Sequence, residues 1–158
     1  MKTIEIRDEN AMKTVISASR ICYAGFAGTD GTPYVIPMTF GYRDGIIYFH
    51  SGQEGTAIDM LAQNNRICVV FCSEPQIIFQ HPEVACSYTA KASSVIAYGT
   101  VEFEEDFNKK VEALNIIMQQ YTGRDFNYGA PAVANVKIWK IKVDKMTCKS
   151  FGNSKKLR

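Results

Sequence analysis

The sequence predicts a mainly-β domain, an antiparallel barrel with helices packed against it. Three observations carry that expectation. Short apolar runs alternate with glycine-rich turns, Asp44-Gly45 marks a tight hairpin tip, and only three stretches show helical spacing. Hairpins dominate the early part of the chain, where a parallel sheet would need a helix between successive strands.

Taken in order, Met12, Val15 and Ile16 recur at helical spacing behind Asp8 and predict a short first helix. Ile21 to Ala27 reads as a strand, stopped by the turn Gly28-Thr29-Asp30-Gly31. Tyr34 to Tyr42 is the next strand, and Arg43-Asp44-Gly45 turns it into its partner, Ile46 to Ser51. Thr56 with Asp59 three residues on matches a capping box, so a helix starts at Thr56 with Ile58, Leu61 and Ala62 on its inner face. Arg66 to Cys72, Ser93 to Glu104 and Asn135 to Cys148 complete an inventory of about six strands. Before the last of them, Phe107, Val111, Leu114, Met118 and Tyr121 form an amphipathic helical stripe between the cap Asp106 and Gly123.

The 158 residues suit one domain, taken as 1–158 with flexible ends at 1–7 and 150–158. Hydrophobic residues make up 46% and charged residues 22%, enough apolar material for a real core. The net charge of +2 is too weak to argue for nucleic acid. Lysines do gather toward the C-terminus (Lys140, Lys142, Lys145, Lys149, Lys155, Lys156, with Arg158). Phe151 is the one aromatic among them, too little for a stacking surface, so they read as a solvated strand face and tail. Met1 to Asn10 is polar where a secretory signal would be apolar, and no run approaches a membrane span, so a soluble cytoplasmic protein is expected. The five cysteines, Cys22, Cys68, Cys72, Cys86 and Cys148, form no C-x-x-C pair and read as free thiols, mostly buried.

Many catalytic signatures are missing. Gly25, Gly28 and Gly31 have the wrong spacing for a dinucleotide loop, and the chain lacks a P-loop, a G-x-S-x-G elbow and an H-E-x-x-H pair. Its two histidines, His50 and His81, have no Cys or acid at ligand spacing, so no metal is expected. His81, before Pro82, reads as a loop residue. What remains is the strand–loop–helix unit Tyr48 to Ala57. Gly52 and Gly55 would let a ligand approach the backbone, and the next helix would aim unpaired amides and its dipole at an anion. Ser51, Thr56 and His50 could add donors. The same segment also reads as a plain glycine turn before a capped helix, and His50 as an ordinary strand residue. The residues alone leave both open.

A longer ordered series of motifs goes further. Pro33-Tyr34-Val35-Ile36-Pro37-Met38-Thr39-Phe40-Gly41-Tyr42 is followed by Ile47-Tyr48-Phe49-His50-Ser51, Gly55, Ile58-Asp59-Met60-Leu61 and Arg66-Ile67-Cys68. Ser94-Val95-Ile96-Ala97-Tyr98-Gly99 and Met146-Thr147 close it. The series resembles the nitroimidazole-resistance (Nim-type) flavoproteins, within the pyridoxamine 5'-phosphate oxidase-like split-barrel group, over roughly Ile21 to Cys148. The resemblance implies a six-stranded antiparallel split barrel forming a homodimer, with flavin in clefts at the subunit interface. It implies that Val35, Ile36, Pro37, Met38, Thr39 and Phe40 line the isoalloxazine. His50, Ser51, Gly55, Thr56 and Ala57 would surround the phosphate end, with Ser93, Ser94 and Val95 meeting it from a neighbouring strand. It gives the histidine at His50 a place near the reactive flavin region, and so a catalytic role.

The chain departs from that pattern at three positions. Thr56-Ala57 stands where family members usually carry basic residues, and Ser93 where they often carry Arg. Lys91 and Arg66 are the expected replacements for that charge. FMN is the expected cofactor, with FAD the alternative because phosphate diesters carry less charge per group to balance. The implied activity is reduction of small planar acceptors, nitroaromatics included. A flavin-storage module and a haem-binding relative using His50 or His81 are the other readings. Oxidation of pyridoxamine phosphate fits less well, because no Arg-rich segment forms a substrate-phosphate pocket.

Overall fold

The computed structural model of the chain describes residues 2–153. Its elements run β1 (Lys2–Ile6), α1 (Glu9–Ala18), β2 (Cys22–Ala27), β3 (Pro33–Met38), β4 (Gly41–Arg43) and β5 (Ile46–Ser51). Then come α2 (Thr56–Gln63), β6 (Arg66–Cys72), β7 (Gln76–Ile78), a short 3-10 turn (Ala85–Ser87) and β8 (Thr89–Glu104). The chain closes with α3 (Phe107–Thr122), α4 (Ala130–Ala134) and β9 (Lys137–Asn153). Seven strands pair antiparallel in the order β3-β2-β6-β8-β9-β5-β4, while β1 adds to β9 and β7 to β8. Among the described residues no ladder joins β3 to β4, so the barrel stays open at that seam. This is the expected mainly-β split barrel with flanking helices.

Several local expectations need correction. The predicted strand Tyr34 to Tyr42 breaks in two at Thr39-Phe40, because the Phe40 amide leaves the ladder and donates to the Tyr121 hydroxyl at 3.0 Å. Residues 2–6, expected as a loose end, pair with β9, and β9 itself runs past Cys148 to Asn153. Residues 154–158 of the expected flexible end lie outside the described residues. The capping box at Thr56 does not form: Thr56 is the first helical residue, and Gly55 holds the cap position without a side-chain bond. On α3 the buried face is Ala113, Leu114, Ile116 and Ile117, while Phe107 and Tyr121 of the predicted stripe are 46% and 40% exposed. The period was right and the phase was not.

The helix caps follow the sequence. Asp8 accepts from the Asn10 amide at 2.9 Å, Asp106 accepts from Lys109 at 3.0 Å, and Gly123 ends α3 at φ 70°. Inside the barrel, alternate residues of β2 and β6 (Cys22, Ala24 and Phe26; Ile67, Val69 and Phe71) are buried. Trp139 closes one end, with Phe26, Phe49 and Phe103 about its ring at centroid distances of 6.0, 6.0 and 6.1 Å. A smaller cluster of Ala113, Leu114, Val133 and Ile138 seals α3 and α4 against the outside of the sheet. The long strands β8 and β9 change register between Tyr98 and Gly99, where a side chain at Gly99 would overlap the Lys142 carbonyl oxygen. No described helix is long and apolar enough to cross a membrane.

Candidate functional site

The segment Phe49-His50-Ser51 closes β5, and strand alternation splits it. Phe49 is buried in the core, and Ser51 follows it inward, accepting from the Trp139 indole N–H at 3.0 Å and donating to the Gly52 carbonyl at 2.8 Å. Ser51 therefore has both an internal donor and an internal acceptor. His50 lies on the opposite face, directly across from Ile138 and two residues after Tyr48, the face that α3 and α4 cover. Its Nδ1 is buried without a partner, and burial holds the ring below the ordinary histidine pKa. The ring is neutral at pH 7.

Beyond Ser51 the chain turns through Gly52 and Gly55 into α2. Gly55 takes φ 145° and ψ 164°, a conformation nearly confined to glycine, and a Cβ there would meet no atom within 4 Å. Its carbonyl accepts from Ile58 and Asp59, leaving the Thr56 and Ala57 amides as the unpaired first donors of the helix. Thr56 is exposed and Ala57 is buried. This end of α2 presents two unpaired amides, the geometry of a backbone anion site, and neither Thr56 nor Ala57 adds a positive charge to it. Gln53 Nε2 donates to the Ala134 carbonyl at 2.9 Å, tying the loop to α4.

The other predicted residues lie elsewhere. Val35, Pro37 and Thr39 face outward along the edge strand β3 and beyond it, with Val35 63% exposed, while Ile36 and Met38 turn toward the core. Phe40 and Val95 are fully buried, so only their main chains could meet a ligand, and the Phe40 amide is already bonded to Tyr121. Lys91 is exposed opposite Gln76 in the β7–β8 ribbon. Ser93 and Ser73 form a reciprocal pair: Ser93 N donates to Ser73 Oγ and Ser73 N to the Ser93 carbonyl, both at 2.9 Å. Ser94 sits between Cys72 and Lys149 in the ladder. The candidates thus form two groups. The His50 row crosses Ile138 to Glu104, and Ser94 lies ten positions earlier on β8, roughly 33 Å of strand away. Among the described residues no hydrogen bond, ion pair or ring contact joins the two.

Of the two cations expected to replace the missing charge, Arg66 is paired with Asp144 at 2.8 Å. Sequence reasoning missed Arg20. It stands in the α1–β2 joint beside an open cleft of about 610 Å³, with Ile21, Tyr23, Ser73, Glu74 and Pro75 as neighbours in the lining. No signal in the chain singles it out, because it belongs to no motif and to no regular element. The five thiols are free as expected, but only two of them are buried, and Cys68 and Cys72 are half-buried. Cys22 and Cys148 are buried, with Cys22 pushed up to about 12 by burial, but Cys86 is exposed.

The model of the pyridoxamine 5'-phosphate oxidase family matches residues 8–150. A candidate 5-nitroimidazole antibiotic resistance protein from Bacteroides thetaiotaomicron is 44% identical, with a TM-score of 0.86 over 95% of this chain and 88% of that one. The flavocytochrome Anf3 from Azotobacter vinelandii superposes with a TM-score of 0.77 at 18% identity, covering 94% of this chain and 70% of that chain. The FAD and haem binding protein from Mycobacterium smegmatis does so at 0.80 and 13% identity, covering 94% and 74%. The last two share the fold. No curated protein matches.

Proposed function

The chain belongs to the pyridoxamine 5'-phosphate oxidase family, and from that membership we propose that it is a flavin-dependent reductase of small planar acceptors, nitroimidazoles among them. It works as a homodimer that holds FMN between its subunits.

One observation carries the reading. The candidate residues fall into two separated groups on one protomer, an anion-binding helix end at Gly55-Thr56-Ala57 and an exposed strand surface from Val35 to Ser94. A two-fold copy would bring one group of each protomer against the other group of its partner. The surface between them suits such burial. Pro37, Tyr23, Val70, Ile96 and Thr147 form one outward cross-strand row, and Val35, Gly25, Cys68, Tyr98 and Lys145 the next. Tyr23, Val35 and Tyr98 are 50%, 63% and 40% exposed, a contiguous apolar surface of the kind that marks an interface. The 44% identity to a candidate nitroimidazole resistance protein supports the acceptor class.

The residues present fit a flavin. The α2 end offers two free amides and open space at Gly55 to an anionic tail, and Val35 and Pro37 offer a flat apolar edge to a ring system. Flavin, when bound, supplies hydride and electron transfer. The chain's own part is to seat the phosphate on the Thr56 and Ala57 amides and exclude water with the apolar face. His50 is the residue assigned a proton-transfer role, a neutral imidazole whose unpartnered Nδ1 is buried on the face that α3 and α4 cover.

The test has three stages. The absorption spectrum of the purified protein, with FMN titration, comes first; absence of flavin bands and of binding overturns the reading. A Soret band on haem titration with no flavin uptake favours the haem-binding relatives instead. Oxidation of a reduced nicotinamide with a nitroimidazole present then separates a reductase from a storage module, and sedimentation checks the dimer.

A further inference from the structure

Resting on the reductase reading, we propose that the cleft between the α1–β2 joint and the β6–β7 loop is the acceptor subsite. Arg20 is its specificity residue, selecting planar molecules that carry a flat two-oxygen group, a carboxylate or a nitro group.

At about 610 Å³ the cleft is of ligand size, and its walls pair apolar and polar surfaces. Ile21, Tyr23 and Pro75 line its apolar side, Ile21 being 47% exposed and Tyr23 lying where the cleft meets the row assigned above to the dimer surface. The polar groups are Arg20, Ser73 and Glu74. Among the described residues the Arg20 guanidinium makes no hydrogen bond and no ion pair, not even with Glu74. Its fork of N–H donors matches two coplanar oxygens in a way that a lysine ammonium does not.

The mounting of these groups is rigid although the groups themselves are free. The Arg20 carbonyl accepts from the Tyr121 hydroxyl at 3.0 Å. The preceding residue is fixed from both sides, because Ser19 Oγ donates to the Val15 and Cys72 carbonyls at 2.8 and 3.1 Å while its own carbonyl accepts from Gln120. Ser73 is held by its reciprocal pair with Ser93, which uses the oxygen of its hydroxyl and leaves the proton to donate. Ser93, expected to meet the flavin directly, here positions a cleft residue. An aromatic wall beside an uncommitted guanidinium on a fixed backbone, with a hydroxyl donor, suits a planar monoanion or a nitro group. Glu74 limits the charge. A phosphate dianion would share the cleft with its carboxylate, whereas a single delocalised charge bonded to Arg20 is tolerated.

The experiment measures equilibrium binding of benzoate, phenyl phosphate and benzyl alcohol to the full-length protein, before and after FMN loading, in the wild type and in R20Q, R20K and E74Q. R20Q should weaken benzoate roughly 10- to 150-fold, the loss of a hydrogen bond to a charged group. R20K should recover part of it, and benzyl alcohol should not change. E74Q should tighten phenyl phosphate more than benzoate. In the loaded enzyme R20Q should raise KM for a nitrobenzoate and leave kcat nearly unchanged. Equal benzoate binding in R20Q and wild type, or an equal loss of benzyl alcohol, overturns the proposal. A fall in FMN affinity with riboflavin affinity unchanged also overturns it, since Arg20 would then hold the flavin phosphate. Benzoate binding without flavin uptake defeats the reductase reading alone, and flavin uptake without benzoate binding defeats this inference alone.

Discussion

Gly55→Ala separates the folding role of the α2 end from its ligand role. At φ 145° and ψ 164° the residue occupies a region that only glycine visits freely, so alanine there costs about 1–3 kcal/mol of backbone strain. No steric cost adds to it, because nothing stands within 4 Å of the new Cβ. For a chain of this size the expected fall in Tm is roughly 2–12 °C. The methyl group would, however, stand in the open space beside the Thr56 and Ala57 amides. If a flavin phosphate bonds there, displacing one charge-assisted hydrogen bond lowers FMN affinity roughly 10- to 150-fold. Gly99→Ala is the control. Its Cβ would overlap the Lys142 carbonyl oxygen, so it should destabilise more, yet it lies away from α2 and should leave FMN affinity within about threefold in the folded fraction. Thermal melts with and without FMN, and flavin-fluorescence titration below both melting ranges, measure the two effects apart. Wild-type FMN affinity in Gly55→Ala refutes the reasoning, as does an equal loss in Gly99→Ala.

Three further outcomes follow from the same contacts. Trp139→Phe removes the N–H that Ser51 accepts and part of the ring filling the barrel end, so urea titration should show a loss of about 2–4 kcal/mol with FMN affinity retained. His50 has a folded pKa below its unfolded value of about 6.5, so the unfolded chain binds the proton first as pH falls. Stability is complete above that value and declines through it toward the folded pKa; urea midpoints at pH 8, 6.5 and 5 should show this slope in the wild type and a flatter one in His50→Gln. Tyr121→Phe deletes the hydroxyl that accepts from Phe40 and donates to Arg20, which should cost about 1–3 kcal/mol by thermal melt and weaken benzoate binding severalfold.

The elements that sequence reasoning found are those whose cause is local. Asp8 and Asp106 cap their helices through residues two and three positions away, and Asp44-Gly45 turns its hairpin within the turn itself. What it missed depends on distant chain. β1 is polar but for its isoleucines and forms because the far end of β9 offers a free edge. The break at Thr39-Phe40 follows from a hydroxyl more than eighty residues away. The phase of α3 is likewise set by what it packs on: the Ile116 backbone lies against Gly41, close enough to forbid a side chain there, which leaves Phe107 exposed and puts Tyr121 at the edge of the packed face, its hydroxyl reaching Phe40 and Arg20. Periodicity fixes a stripe only to within the neighbouring residues of the helix.

The candidate site was harder to read because adjacency in sequence suggested a shared role for His50 and Ser51. In a strand neighbours point apart. Ser51 belongs to the barrel end under Trp139, and His50 to the layer under α3 and α4, so one segment feeds two separate structures. The loop after them is coupled to both. Gln53 holds the Ala134 carbonyl of α4, and α2 buries Ala57 and Leu61 in the same core that contains Trp139. An anion at the Thr56 and Ala57 amides would therefore draw on a loop whose position is set by the core on one side and by α4 on the other. The absence of a basic residue at Thr56-Ala57 then has a physical reading: an anion held there would depend on backbone placement, which a rigid loop provides, more than on side-chain charge. On that account loosening the Gln53 tie, with Gln53→Ala, should weaken FMN more than neutralising Arg66, whose guanidinium is already held by Asp144. A larger loss in Arg66→Ala, measured by the same flavin titration, would return the phosphate to a cation.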